Sequence, residues 1–550
     1  SVSLLTVEYD VRDDLPNETD VFRLSPASEQ LIEKLLERQY PHINQVDARS
    51  IAAFSGGNAR VAIALANTIR RGETVSGFRD EELFERLFWQ RQEESDDLLM
   101  SAAVLSLVYS FEGTDTISEK SELRFLSSLI GKTPAELYRH AGILKDRDLL
   151  QSRHVWRAVL PHAIANRLAR RALSSIPIDS LEPAFLSAHE RLITSFTRRL
   201  SYLHDCPEVV AMVNRWLAAD GWLGEHVGNL NSLGITILRN IAPISPEEVL
   251  KAIIRANTKD ETFTSPENRH LKEYVNILRK IAYEPEKFSR CASLMCEFAL
   301  CCEGENHNND IRGQFKSLFF LYLSGTKATS EHRAKFIESL LESQKPNVNK
   351  IGHECLDAAL ECWNFNAVHD FDFGARPRDY GFEPESREAV ISWYRVFVGI
   401  CHRYALMGGA QSESARKTLA KNFRALWRRV GDYDYLEEVV RDIHTLRPWR
   451  EGWIAVKGAL AYDGKSFEPE ILKQIQSLEA FLKPSNLLEK ARVFAFSDQR
   501  RGLDLDDIYF DENEETPDFG KAFAIAKELG KQVAQHEETF LEILPELVSV

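Results

Sequence analysis

The segment FSGGNAR, residues 54–60, contains residue types that could position a charged ligand. Gly56 and Gly57 permit a tight backbone turn, and Asn58 can cap the apolar helix that follows. Arg60 then falls in the first helical turn, where a cation is mildly unfavourable unless an anion lies nearby. From spacing alone, a glycine turn with a solvated arginine is the simpler interpretation, and an arginine held for an anionic ligand is the alternative.

A second candidate is the basic segment 149–173, which contains no acidic residue although the chain has a net charge of −15. Its arginines are Arg153, Arg157, Arg167, Arg170 and Arg171. His162 follows Pro161 at the start of a predicted helix, a favourable place for proline. His162 could be an interior histidine or a phosphate ligand, and the arginines could also form the solvated face of an amphipathic helix.

A third candidate is the irregular segment 364–384, which is rich in aromatic residues, arginine and aspartate. Arginine and aromatic residues are enriched at hot spots of protein interfaces. We expect this segment to project from its surroundings and to bind a protein partner, although packing at a break between helices fits the composition equally well. The candidate partner-binding residues are Phe371, Arg376, Arg378 and Tyr380.

No complete catalytic or metal-binding motif is present, so whether the chain is an enzyme stays open. The GKT at residues 131–133 lacks the earlier glycine of a phosphate-binding loop. The DFG at residues 372–374 lacks the other kinase motifs. Cysteines 291, 296, 301 and 302 have no CxxC spacing, and we predict no metal site.

Composition favours a soluble, cytoplasmic protein of several domains. The 550 residues are 44% hydrophobic and 27% charged, and no stretch reaches the length of about 18 apolar residues needed to span a membrane. Eight cysteines in a large chain without secretory features favour reduced thiols. The negative net charge opposes binding to nucleic-acid backbones, so DNA is not an expected partner.

Hydrophobic periodicity divides the chain into four regions. Residues 1–24 alternate like the last strands of a larger sheet, and residues 25–94 have helical periodicity. Residues 95–175 contain three helices followed by an alternating stretch at 149–160, which predicts a winged helix with a hairpin there and a helix from about residue 161.

The remaining residues, 176–550, have helical periodicity that predicts a repeat array. ILRNIAPISPEEVL at residue 237 matches ILRKIAYEPEKFSR at residue 277, an offset of 40 residues. That period fits HEAT-like helical pairs, which present extended concave surfaces to protein ligands. The acidic stretch 504–518 is interpreted as a solvated loop.

This order of elements resembles the C-terminal portion of STAND NTPases, the NLR-like class. The segments WRAVLPHAIANRLA and LFWQRQ…LLMSAAVLSLVYSF look most like bacterial antiviral STAND (Avs-like) proteins. The resemblance implies a mainly α fold: the end of an NTPase sheet, a small helical lid domain, a winged helix, and a HEAT/TPR-like α-solenoid. The phosphate-binding and Mg-binding (Walker A and B) motifs of the family are absent from this chain and would precede Ser1, so a start inside the NTPase domain is the favoured explanation.

The resemblance also implies a nucleotide site shared by two of these domains. Gly56, Gly57, Asn58 and Arg60 take the place of the glycine motif that lies against the nucleotide, and His162 takes the place of the histidine that contacts the phosphates of resting-state ADP. The cofactor would be ATP or ADP with Mg in the full-length protein. Two departures are that Ala59-Arg60 replaces the usual Pro-Leu and that Ala163 replaces an aspartate.

The function implied is a nucleotide-regulated switch in antiviral immunity. The repeats would sense a foreign phage protein, and the winged helix would relay binding into homo-oligomerisation. The alternative is a nucleotide-free helical scaffold that binds protein partners. The sequence does not identify the ligand, the N-terminal effector or the size of the oligomer.

Overall fold

Helices make up most of the chain in the computed structural model, which describes residues 27–90, 95–301, 311–366, 370–496 and 521–548. Contacts divide the chain into two compact units, residues 1–212 and 213–550. The strands expected in residues 1–24 and the acidic stretch 504–518 lie outside the described residues. None of the described helices is both long and apolar enough to cross a membrane.

The first unit contains short helices and one small sheet within its described residues. Side-chain caps start several of these helices, as Asn44 and Thr133 do by accepting a hydrogen bond from a backbone N–H of the first turn. The elements are α1 Glu29–Gln39, α2 Gln45–Ser55, α3 Ala59–Ala66, α4 Asp80–Trp89, α5 Asp96–Leu105, β1 Phe111–Glu112, α6 Glu122–Ser128, α7 Pro134–Asp146, β2 Leu150–Arg153, β3 Trp156–Val159, α8 His162–Ser175, α9 Ile178–Leu186, α10 Glu190–Leu200 and α11 Pro207–Leu217, inside which the boundary falls.

The sheet of the first unit is antiparallel, in the order β1-β3-β2. Leu150 pairs with Val159 and Phe111 pairs with Arg157. The hairpin expected at residues 149–160 is therefore confirmed, and α8 starts at His162 as the proline signal predicted. Many of the buried side chains of this region lie on α5, which packs against α7 and α8 beside the hairpin.

The second unit is a succession of helices joined mostly by short turns. In the described residues these are α12 Ser232–Ile241, α13 Pro246–Lys259, α14 Leu271–Ile281, α15 Pro285–Cys301, α16 Ile311–Ser317, α17 Ser330–Leu341, α18 Pro346–Ala359, α19 Arg387–Met407, α20 Gly409–Ala425, α21 Tyr433–Leu446, α22 Arg450–Asp463, α23 Pro469–Leu482, α24 Leu487–Phe496, α25 Lys521–Gln535 and α26 Glu537–Val548. A 3-10 segment, Gly224–Asn229, precedes α12, and a π-helical turn, Leu426–Val430, follows α20.

Each of the two matching sequence segments spans the end of one helix and the start of the next. Pro246 and Pro285 each begin the second helix of a pair, where proline is well tolerated. Neighbouring helices pack against each other along the chain, α13 on α14 and α15 on both α16 and α17. This succession is consistent with a helical-repeat array, because the apolar face of each helix is covered by its neighbours.

Candidate functional site

The glycine motif forms the turn that its sequence predicted. Gly56 and Gly57 have left-handed backbones, with φ of 56° and 81°, a region that glycine enters without steric cost. The side-chain oxygen of Asn58 accepts hydrogen bonds from the backbone nitrogens of Arg60 at 3.0 Å and Val61 at 3.3 Å. The turn therefore fixes Arg60 in the first turn of α3.

The anionic partner of Arg60 in the structure is a residue of the same chain, Asp148. Its Nη2 lies 3.0 Å from Oδ1 of Asp148 and 3.2 Å from the backbone oxygen of the same residue. Asp148 stands between α7 and β2 with φ of 58°, a conformation that aspartate tolerates better than most residues. The side chains are 38% and 79% exposed, and an exposed ion pair of this kind contributes only about 0–1 kcal/mol.

Further polar contacts join residues 27–90 to the segment that carries the hairpin. Nε2 of Gln90 donates to the backbone oxygen of Arg147 at 2.8 Å. On α8, Arg167 donates to the backbone oxygen of Asp80 at 2.9 Å, and its guanidinium lies 5.8 Å from the ring centroid of Phe84. The ion pair of Arg60 and Asp148 is thus one of several contacts between residues 27–90 and the segment that carries the hairpin.

His162 belongs to an aromatic cluster at the start of α8. Its ring centroid lies 4.9 Å from that of Tyr109 and 5.9 Å from that of Tyr202, with interplanar angles of 26° and 5°. Nε2 of His162 and the hydroxyl of Tyr109 are 3.1 Å apart, a hydrogen bond whose donor depends on the histidine tautomer. Within the described residues no direct bond joins His162 to Arg60.

Two arginines of α10 make the surroundings of His162 positively charged. The guanidinium carbon of Arg198 lies 3.9 Å from the ring centroid of Tyr109, and that of Arg199 lies 5.4 Å from it. Arg199 is fully buried, and burial lowers its pKa to about 10. Its Nη1 donates to Oδ1 of Asn166 on α8 at 2.7 Å. The sequence gives no signal for these arginines, since an arginine pair in an amphipathic helix is typical of a solvated face.

The partner-binding arginines predicted in the irregular segment do not project into solvent. Nε of Arg376 donates to the backbone oxygen of Pro243. The side chain of Arg378 is 5% exposed and lies 3.4 Å from Glu284, with its guanidinium carbon 3.9 Å from the ring centroid of Tyr283. Projection into solvent is therefore wrong for Arg378, and Arg376, whose side chain is 27% exposed, is hydrogen-bonded to a helical turn; partner binding by the two arginines stays a prediction.

Residues 370–382, here named the strap, are held to these turns by their backbone as well. The backbone nitrogen of Phe382 donates to the oxygen of Thr326 at 2.7 Å, and that of Gly325 donates to the oxygen of Tyr380 at 2.8 Å. The strap thus crosses three successive turns, after α12, after α14 and before α17. Of the remaining partner-binding candidates, Tyr380 is 63% exposed and Phe371 is half-buried, in edge contact with Tyr380 at 5.2 Å.

The cysteine-rich stretch contains buried thiols in α15. Cys291 and Cys296 are buried, whereas Cys301 is exposed. Burial raises the pKa of Cys296 to about 12 and that of Cys291 further. Cys302 lies outside the described residues.

Comparison with known proteins adds little to this geometry. No protein-family model matches the chain, and no curated protein matches it. Among solved structures, a crystal structure of an engineered protein from the Northeast Structural Genomics Consortium aligns with 14% identity over 83% of this chain and 98% of that chain. Its TM-score is 0.19, which is too low to bear on fold or function.

Proposed function

We propose that this chain is the regulatory and sensing part of a nucleotide-controlled STAND-type switch in antiviral defence. The order of elements in residues 95–175 supports the proposal. Helices α5, α6 and α7 precede the hairpin β2–β3, and β1 completes the sheet, as in a winged helix. In the proposal, residues 27–90 form the lid domain that faces this winged helix.

The pairing of Arg60 with Asp148 carries the proposal. In the resting state, a sensor arginine needs an ion-pair partner within the protein that binds it only weakly. The exposed carboxylate of Asp148, on the facing domain, is such a partner. Arg60 would exchange Asp148 for phosphate oxygens on activation. Leaving Asp148 costs little, because an exposed ion pair contributes only about 0–1 kcal/mol.

His162 supplies the second contact of the proposed nucleotide site. The fully buried Arg199 and the stacked Arg198 give its surroundings a positive potential that suits the phosphates of ADP. ATP or ADP with Mg supplies the charge that distinguishes the two states. Residues of this chain would bind and orient phosphate oxygens through Arg60 and His162.

The helical repeats supply the sensing surface in this proposal. Repeat arrays present extended surfaces to protein ligands, and a phage protein is the proposed ligand. Ligand binding would favour the open arrangement, in which the lid and winged helix separate and copies of the chain assemble. The site of action would be the cytoplasm.

Matched variants at Arg60 and Asp148 test the switch in the natural protein. Arg60→Ala should abolish protection against phage, whereas Asp148→Asn should raise basal activity because it removes the charge that holds Arg60 and keeps a residue that tolerates positive φ. His162→Ala should weaken binding of a fluorescent ADP analogue. If the natural protein binds neither ADP nor ATP, the switch is refuted and a nucleotide-free scaffold takes its place.

The strap supports that scaffold as a second candidate function. By joining three successive turns, it stiffens an array that could bind partners constitutively. Partner binding by a scaffold would be independent of nucleotide, so the affinity of a partner with and without ATP separates the two candidates.

A further inference from the structure

An exposed arginine and tryptophan surface lies on the second unit, around the π-helical turn Leu426–Val430. The ring of Trp363, 39% exposed, has the guanidinium carbon of Arg429 at 4.4 Å and that of Arg428 at 5.5 Å from its centroid. Nearby, the guanidinium carbon of Arg424 lies 4.4 Å from the ring centroid of Tyr462. We name Trp363, Arg424, Arg428, Arg429 and Tyr462 the Trp363 patch.

The charges of the Trp363 patch are only partly balanced within the described residues. Asp463 is buried and accepts hydrogen bonds from both Arg424 and Arg428. Arg424 and Arg428 share this one carboxylate in these contacts. Arg429 pairs with no carboxylate in the part of the chain that the structure describes, and its contact there is the face of Trp363.

Stacking on Trp363 prepares Arg429 to bind an oxyanion. The contact with the ring restrains the Arg429 side chain, which therefore loses less conformational freedom when it binds an oxyanion. The π-helical turn that presents Arg428 and Arg429 is a rare element that occurs frequently at functional sites.

We propose that the Trp363 patch binds a carboxylate-rich segment of a protein partner. This inference rests on the proposed function in that the repeats bind a protein, and it replaces the strap arginines as the recognition site. A protein segment fits better than nucleic acid for two reasons. Phosphate backbones are bound through many clustered cations, which a chain of net charge −15 opposes, and tryptophan with arginine is the composition of protein hot spots.

Peptide binding to the full chain tests the patch without any nucleotide. The probe is a fluorescein-labelled peptide in which eight Asp and Glu residues flank one Tyr, measured by fluorescence anisotropy at about 0.15 M salt, near physiological ionic strength. Arg429→Glu and Trp363→Ala should each weaken binding at least about tenfold. Arg429→Lys, which keeps the charge but not the planar fork, should have an intermediate effect.

Arg239→Glu is the matched control, since Arg239 is an exposed arginine on α12, far along the sequence from the patch. Binding should change less than about twofold in this variant because a distant exposed charge is largely screened. Equal losses in Arg239→Glu and Arg429→Glu would overturn the site, since they would indicate attraction by bulk charge. Equal binding of the amide peptide, with Asn and Gln in place of Asp and Glu, would overturn the requirement for carboxylates.

A single-stranded DNA of matched charge separates the two classes of partner. If the DNA binds at the patch and the peptide does not, the proposed protein partner is wrong. If the natural protein binds nucleotide but not the acidic peptide, the Trp363 patch is overturned and the proposed switch is not. Peptide binding without nucleotide binding would keep the patch and refute the switch.

Discussion

Replacing Gly381 with alanine should detach the strap from the helical repeats. Gly381 has φ of 102°, a backbone conformation that side chains of L-residues rarely adopt. A Cβ added there would lie 2.6 Å from the backbone nitrogen of Thr326 and 2.8 Å from that of Gly325. Backbone atoms of a turn cannot move aside as a flexible side chain can, so the strap itself has to shift.

The expected size of the effect follows from what the shift removes. A strained left-handed residue costs about 1–3 kcal/mol. The two backbone hydrogen bonds made by Phe382 and Gly325 contribute about 0.5–1.5 kcal/mol each. Together these give about 2–6 kcal/mol of local destabilisation, which corresponds to an increase of at least about thirtyfold in local opening.

Hydrogen exchange measured by mass spectrometry reports this opening. Peptides covering residues 370–382 and 323–329 should exchange at least about thirtyfold faster in Gly381→Ala, while those of α22 stay unchanged. Gly458→Ala is the control, because an added Cβ meets nothing within 4 Å in that helix and should stabilise it by about 0.5–1 kcal/mol. Unchanged exchange in the strap of Gly381→Ala would refute its docking to the turns.

Two further predictions concern buried or half-buried histidines. Burial lowers the pKa of His353 to about 4 from 6.5, so the unfolded chain binds more protons below pH 6.5, and stability is lost as the pH falls toward 4. His353→Leu should therefore stabilise the protein more at pH 5 than at pH 7, by on the order of 2 kcal/mol in urea titrations, and an equal gain at both pH values would contradict this. Tyr109→Phe keeps the ring contact with His162 and removes the hydrogen bond, so it should cost about 0.5–1.5 kcal/mol in the unfolding of the first unit, and no loss would show that the bond is not formed.

The parts of the fold that the sequence predicted are those set by local chemistry. Gly56, Gly57 and Asn58 specify a left-handed turn and a helix cap, whatever lies around them. Alternating residues and Pro161 specify the hairpin and the start of α8 in the same way. Each signal involves residues close in the sequence, which is why composition and spacing were sufficient.

The strap shows why the recognition site could not be predicted in this way. Arginine and aromatic residues are enriched at protein interfaces, but they also pack inside a protein when carbonyls and carboxylates accept their hydrogen bonds. Arg376 reaches Pro243, which is 133 positions away, and Arg378 reaches Glu284, which is 94 positions away. No local pattern indicates such partners, so the segment looked like an exposed loop.

Arg60 has both a local sequence signal and a partner that is distant in the sequence. Its place in the first turn of α3 made a nearby anion the alternative to a solvated arginine, and the structure supplies Asp148, which is 88 positions away in the sequence. Spacing could not identify the source of any negative charge, because a carboxylate and a phosphate satisfy the same guanidinium. The proposed switch uses this ability of Arg60 to bind either anion. An exposed ion pair that contributes about 0–1 kcal/mol holds Arg60 at rest, and a more strongly charged phosphate can displace Asp148.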